Sequence, residues 1–169
     1  QPMPLSKDIK AIKNEAFYFI CIILIIQFIR IFSADSSKVF EMNETFQIQR
    51  GQNFQSKGKM KIISPKFEIK GKSSNIAIYT KATSLNNNWL YFDTLLVDAS
   101  SGKGLPAPQG LEYYSGYSGG EHWKEGSRSG STVIYNVPRG TYYLNLILSS
   151  GMPDKSIPFN LRIKRDIII

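Results

Sequence analysis

The chain after residue 38 alternates short runs of β-forming residues with turn residues, and this pattern most constrains the fold. No run keeps the 3.6-residue spacing of an amphipathic helix. Eight short strands over residues 39–165 are typical of two packed antiparallel sheets. The sequence therefore predicts an all-β domain, an antiparallel sandwich or jelly roll of about eight strands: residues 40–48, 61–70, 75–83, 89–97, 111–117, 132–137, 141–148 and 157–163.

Two local patterns predict details of this sandwich. Residues 89–97 are almost continuously apolar, which predicts a central strand covered on both faces. Residues 136–140, Asn-Val-Pro-Arg-Gly, lie between two strand-like runs, and their proline and glycine favour a tight turn. We therefore expect residues 132–137 and 141–148 to form a hairpin.

A strongly apolar segment precedes the β-type runs. Residues 16–32 are apolar apart from Gln27 and Arg30. The length of this segment is at the short end of what crosses a hydrocarbon core of about 30 Å. The segment is apolar all round, unlike a helix that buries one stripe. Phe32, at the third position before a cut after Ala34, argues against a cleaved signal peptide. The sequence predicts a transmembrane helix.

This helix predicts the organisation of the whole chain. Three lysines precede the helix, against Arg30 and Lys38 at and after its end, so the positive-inside rule places the amino terminus in the cytoplasm and the sandwich outside it. The final Asp-Ile-Ile-Ile is expected to begin a second membrane segment of a longer protein. The expected parts are a polar cytoplasmic flank (1–15), a single-pass transmembrane helix (16–33), a tether (34–38), an extracytoplasmic β-sandwich domain (39–165) and the start of that second segment (166–169).

Composition argues against several chemistries. The single cysteine, Cys21, excludes an intrachain disulfide and a cysteine-based zinc site. His122 is the only histidine, so no second imidazole completes a zinc site. We expect no cofactor and no metal.

Positive charge is concentrated in residues 57–72, which contain six lysines in a chain of net charge +8. A period of two places Lys57, Lys59 and Lys61 on one strand face, and lysine commonly protects an edge strand from pairing with other chains. The alternative interpretation is attraction to anionic lipid or an acidic polymer. The segment lacks interleaved aromatic residues, so nucleic acid is not a predicted partner.

The most distinctive composition lies in residues 111–148, where an aromatic run leads into a Gly/Ser-rich segment. Trp and Arg are the residue types that most often anchor protein interfaces. We therefore predict a non-catalytic binding surface formed by Tyr113, Tyr114, Trp123 and Arg128. As an alternative, exposed Trp and Tyr side chains predict a carbohydrate-binding module, in which rings stack on sugars and residues 86–88 and 118–131 supply hydrogen bonds. The aromatic residues considered for it are Trp89, Tyr113, Tyr114, Tyr117, Trp123, Tyr142 and Tyr143.

Two other interpretations concern the same loop. A hydrolase would use Glu121 or Glu125 beside His122. The chain contains no nucleophile elbow, phosphate-binding loop or His-Glu-x-x-His motif, which argues against catalysis. Trp123 is also explained as a buried aromatic plug that pins a long loop, and its replacement by Ala would then cost about 3–5 kcal/mol.

Three motifs of this stretch form a recognisable pattern: Tyr113-Tyr114, Gly-Glu-His-Trp-Lys-Glu-Gly-Ser-Arg-Ser at 120–129 and Val-Pro-Arg-Gly-Thr-Tyr-Tyr-Leu at 137–144. In these motifs the chain resembles the carboxy-terminal part of uncharacterised bacterial proteins that share a domain of unknown function. The resemblance extends loosely over residues 40–163 and implies a membrane-tethered β-sandwich without known catalytic residues. It favours a structural or interaction module of the bacterial envelope, whose partner is another envelope protein or part of its own full-length chain.

Overall fold

The computed structural model describes residues 5–35, 38–48 and 58–167, and the chain divides into two compact units, Gln1–Ser37 and Lys38–Ile169. The first unit contains one helix, α1 (Leu5–Asp35). The described part of the second unit contains eleven strands: β1 (Lys38–Phe46), β2 (Lys59–Ile63), β3 (Phe67–Ile69), β4 (Ser74–Lys81), β5 (Asn88–Asp98), β6 (Gly104–Pro106), β7 (Gln109–Ser118), β8 (Glu121–Ser127), β9 (Ser129–Val137), β10 (Gly140–Ser150) and β11 (Ile157–Arg165).

The helix does not meet the requirements for a membrane span. Among the residues that the structure describes, no helix is long and apolar enough to cross a membrane. The predicted transmembrane helix over 16–33 is therefore wrong, and so is the predicted single-pass membrane location with an extracytoplasmic sandwich.

Parts of other predictions lie outside the described residues. They are residues 1–4 of the polar flank, residues 36–37 of the tether, residues 49–57 of the sandwich domain (which include Lys57 of the lysine-rich segment) and residues 168–169 of the predicted second membrane segment.

The strands form two antiparallel sheets that pack as a sandwich. The smaller sheet has the order β1-β11-β4-β9, and the larger has the order β2-β10-β5-β7-β8, with β3 also pairing with β10 and β6 with β5. The predicted number of about eight strands was too low for two reasons. Ser64 and Pro65 divide one predicted strand into β2 and β3, while β6 and β8 carry no apolar alternation that marks a strand.

One hydrophobic core lies between the sheets, because alternate residues of the central strands point inward. Phe92 of the larger sheet meets Phe159 of the smaller sheet edge to face, with ring centroids 5.2 Å apart. Leu144, Leu146 and Leu148 repeat this inward period along β10 and are fully buried.

β5 is central in the larger sheet, but one face of its first half is exposed. Leu90 and Phe92 are buried, whereas Trp89, Tyr91 and Asp93 are exposed on the opposite face; further along that face, Val97 is buried. The prediction of a strand covered on both faces is therefore wrong for the first half of β5. Large aromatic side chains made the run look continuously apolar although only its alternate residues face the core.

The Pro-Arg-Gly segment crosses between the sheets and does not form a hairpin. β9 pairs with β4 in the smaller sheet and β10 pairs with β5 in the larger, so the two strands that we expected to pair are in different layers. The hydroxyl of Tyr142 donates a hydrogen bond to the carbonyl of Pro138 over 2.9 Å and holds this corner. Burial raises the pKa of Tyr142, with a further contribution from the charge of Asp98.

Candidate functional site

The segment that we expected to be a loop is one strand of a hairpin. β7 and β8 pair from Glu112 opposite Ser127 to Ser118 opposite Glu121. Gly119 and Gly120 connect them with φ values of 60° and 86°, the left-handed conformations that a two-residue hairpin turn requires. The Gly-Gly pair was the available signal, but every residue of β8 is exposed, so no apolar pattern marked the strand.

Trp123 lies flat against this hairpin. It is opposite Gly116 of β7 and 43% exposed, so it is not a buried plug. A Cβ at Gly116 would lie 2.8 Å from Cζ2, 3.0 Å from Cε2 and 3.1 Å from Nε1 of the indole, which shows that the ring covers the glycine. One ring face contacts β7, and the other face is open to solvent.

A second aromatic pair lies on β5. Trp89 and Tyr91 are 38% and 41% exposed and are two residues apart, so they share one face of the strand. Trp89 packs beside Gly151, where an added Cβ would lie 3.0 Å from its Cδ1 atom. Tyr91 is opposite Gly110, and a groove of about 340 Å³ lies where that glycine presents no side chain.

These groups share the outer face of the larger sheet. Trp89 pairs with Glu112, and Tyr114 pairs with Glu125, so strand alternation places all of these side chains on the same side as Trp123. The resulting surface combines four aromatic rings with two carboxylates. We call it the aromatic face: Trp89, Tyr91, Glu112, Tyr114, Trp123 and Glu125.

The four predicted binding residues therefore divide into two pairs. Tyr114 and Trp123 belong to the aromatic face, whereas Tyr113 packs against the core. Arg128 places its guanidinium carbon 3.6 Å from the centroid of the Tyr113 ring, and its Nε donates to the carbonyl of Leu85 over 2.6 Å. In this position Arg128 fastens the crossing from β8 to β9.

The predicted hydrolase residues are arranged along one strand. Glu121 and Glu125 are four residues apart in β8, which separates their backbones by about 13 Å. Paired carboxylates in glycoside hydrolases are about 5–9.5 Å apart. His122 points to the other face and meets the ring of Tyr117 edge to face at 5.0 Å. Among the described residues, no group of three or more His, Cys, Asp or Glu side chains is placed to hold a metal.

The four predicted binding residues do not include the β5 half of the aromatic face, although Trp89 is among the aromatic residues of the carbohydrate-binding alternative. The signal for the β5 half was the alternation of Trp89, Tyr91 and Asp93, which indicates a strand with one exposed face. Glu112 was missed because its place beside Trp89 depends on which strands pair.

Comparison with known proteins gives neighbours among solved structures only. No protein-family model and no curated protein matches the chain. The crystal structure of a Yersinia pseudotuberculosis-derived mitogen is 10% identical with a TM-score of 0.35, covering 78% of this chain and 88% of that chain. A mutant VP2 protein of infectious bursal disease virus is 14% identical with a TM-score of 0.32, covering 75% of this chain and 29% of that chain. Similarities this weak support no functional argument.

Proposed function

We propose that the sandwich is a non-catalytic binding module whose aromatic face stacks on the sugar rings of a polysaccharide. The observation that carries this proposal is the placement of two half-exposed tryptophans on one sheet face, with Trp123 lying flat over Gly116. Large aromatic groups exposed together on a sheet mark an interaction surface.

The flat indole favours a sugar over a protein as the ligand. A side chain that anchors a protein interface projects into a pocket of the partner, whereas a ring that lies on the sheet presents a plane. The C–H groups of a pyranose ring pack on such a plane, and the carboxylates of Glu112 and Glu125 accept hydrogen bonds from sugar hydroxyls. The groove beside Tyr91 extends the surface along the sheet.

Intrinsic fluorescence provides a direct test, because the chain has two tryptophans and both lie on the aromatic face. The full chain is titrated with neutral polysaccharides, among them a soluble β-glucan, a xylan and a mannan. We expect at least one to shift the tryptophan emission. Trp123→Ala should lower its affinity by about 1–3 kcal/mol, taking the loss of a nucleobase stacked on an aromatic side chain as the scale.

Tyr135→Ala is the matched control, since Tyr135 is an exposed aromatic residue of β9 in the smaller sheet. It should bind like the unmodified chain. Equal binding by the Trp123→Ala and unmodified proteins would contradict the proposal, as would a panel in which no polysaccharide binds.

A protein partner is the second candidate, and the end of the β7–β8 hairpin favours it. Tyr117 is 79% exposed, and β8 is the terminal strand of the larger sheet among the described residues. An open edge strand can accept an extended segment of another protein or of the full-length chain itself. Tyr117→Ala should then abolish capture of that partner while polysaccharide binding by Trp123 is unchanged.

A further inference from the structure

The outer face of the smaller sheet carries a second groove, which no sequence prediction covers. Its volume is about 520 Å³, and none of its lining residues is acidic. The side chains that matter most for its chemistry are Tyr79, Lys81, Ser129, Ser131, Arg162 and Lys164.

Strand register explains how these side chains come together. Arg162 of β11 is opposite Tyr79 of β4, which is opposite Ser131 of β9. The neighbouring row on one side contains Lys81, and the row on the other side contains Lys164. Small residues on β9 form the floor, and the cations extend over about 13 Å from Lys81 to Lys164 along the strand direction.

The groove keeps a net positive charge. Glu41 of β1 forms an ion pair with Arg162 at 2.9 Å and also accepts a hydrogen bond from Asn160. Within the described part of the chain, Lys81 and Lys164 form no ion pair, so their charges are available to a ligand.

We propose that this groove binds an acidic polysaccharide through carboxylate or sulfate groups carried on successive sugars. Charge complementarity supplies the attraction, and the spacing of Lys81, Arg162 and Lys164 fits a polymer with repeated charges. The hydroxyls of Ser129 and Ser131 match sugar hydroxyls, and the 39% exposed ring of Tyr79 presents one surface for a pyranose.

The same lining favours a polysaccharide over other polyanions. Single-stranded nucleic acid binds on several aromatic side chains that stack successive bases, and this groove has one ring. A lipid bilayer is flat and contacts protruding cations, whereas these cations surround a groove. The site lies on the opposite sheet from the aromatic face, so the inference does not rest on the proposed function.

Binding is measured with the full chain by isothermal titration against polygalacturonate, which carries carboxylates, and heparin, which carries sulfates. Neutral dextran, single-stranded DNA and phosphatidylserine vesicles complete the panel. The double substitution Lys81→Gln and Lys164→Gln should weaken acidic polysaccharide binding about tenfold or more. Raising NaCl from roughly 50 to roughly 500 mM should also weaken acidic polysaccharide binding, because the Debye length becomes shorter.

The matched control replaces Lys103 and Lys155, two exposed lysines in turns, with Gln and so removes the same charge. It should change the affinity less than about threefold. A comparison of the polygalacturonate and heparin affinities identifies the preferred acidic group. Trp123→Ala should bind the acidic polymer normally, which separates this site from the aromatic face.

Three results would overturn the proposal. They are tighter binding of DNA or vesicles than of both acidic polysaccharides, equal losses in the two double variants, and no binding of either acidic polymer at low salt. Melting curves of both double variants establish that each is folded.

Discussion

Gly116 sets the orientation of Trp123 by presenting no side chain. A methyl group there would lie 2.8 Å from the indole, closer than ring and methyl carbons approach. Because Trp123 is at the surface, its ring can move outward without opening the core.

We predict that Gly116→Ala lifts the indole from the sheet. Overpacking should cost about 1 kcal/mol of stability, at the low end of its usual range, while the fluorescence response to polysaccharide falls. Gly104→Ala is the control, since its Cβ would make an ordinary contact of 3.7 Å with Leu95. An unchanged emission spectrum and affinity in Gly116→Ala would show that the flat orientation has no role in binding.

The fold strongly affects the charge of Glu41. Hydrogen bonds from Asn160, Arg162 and Lys38, in that order of effect, lower its pKa from 4.5 to about 2. The Glu41 carboxylate therefore binds a proton less readily in the native state than in the unfolded chain.

We predict a corresponding pH dependence of unfolding. The stability from Glu41 is fully present above about pH 4.5 and is lost as the pH falls toward 2. Glu41→Gln should make the midpoint urea concentration for unfolding depend less on pH across this interval. Glu44 is an exposed residue on the same strand, and Glu44→Gln should leave that pH dependence unchanged. Parallel profiles for Glu41→Gln and the unmodified chain would contradict the assignment.

At the scale of elements, the corner between β9 and β10 connects the two sheets with two residues. Pro138 fixes one backbone angle, and the buried Tyr142 closes the corner by donating to its carbonyl. The corner therefore depends on one side chain that belongs to the following strand.

We predict that Tyr142→Phe destabilises the domain by about 1–2 kcal/mol, because the Pro138 carbonyl loses its donor. Chemical denaturation measures the difference. Tyr143→Phe removes a hydroxyl from the outer face one residue along and should change stability by less than about 0.5 kcal/mol. If both substitutions have the same small effect, the corner does not depend on this hydrogen bond.

Individual strands could be predicted where apolar residues alternate, as in β4, β10 and β11, because local spacing records which side chains face a core. β8 could not, since exposed residues on both faces leave no such record. The Pro-Arg-Gly corner shows a further limit. Turn residues predict that the chain bends, but they do not determine whether the next strand joins the same sheet or the opposite one.

The candidate site, too, could be predicted only in part from local sequence. All four predicted binding residues were selected by residue type. Tyr114 and Trp123 lie on the outer face of the larger sheet, whereas Tyr113 and Arg128 pack toward the interior. Residue type indicates that a side chain suits an interface, but burial depends on the pairing of strands far apart in the chain.

At the scale of the whole molecule, the first and last strands of the sandwich are neighbours. Glu41 and Asn160 are 119 positions apart in sequence, yet their side chains form a hydrogen bond across the β1–β11 pair. Such distant pairing has no local sequence signal, and it makes folding slow relative to proteins rich in local contacts.

We predict from this pairing that the sandwich tolerates circular permutation. Lys38 and Lys164 are partners in register, so a short Gly/Ser linker joins the two ends, and new ends are opened between Gly119 and Gly120. The permuted domain should melt within about 10 °C of residues 38–169 with the natural order. Opening the chain instead at Leu146, in the middle of β10, should prevent folding; equal stability of both permutants would refute the argument.

Because its first and last strands are adjacent, the sandwich can also be inserted into another protein as a unit. A domain whose chain enters and leaves at one place can be spliced into a surface loop of a host protein without pulling that loop apart. The requirement is met by the pairing of β1 with β11 and does not involve the β7–β8 hairpin. The pairing of the first and last strands therefore suits this domain to insertion into another protein.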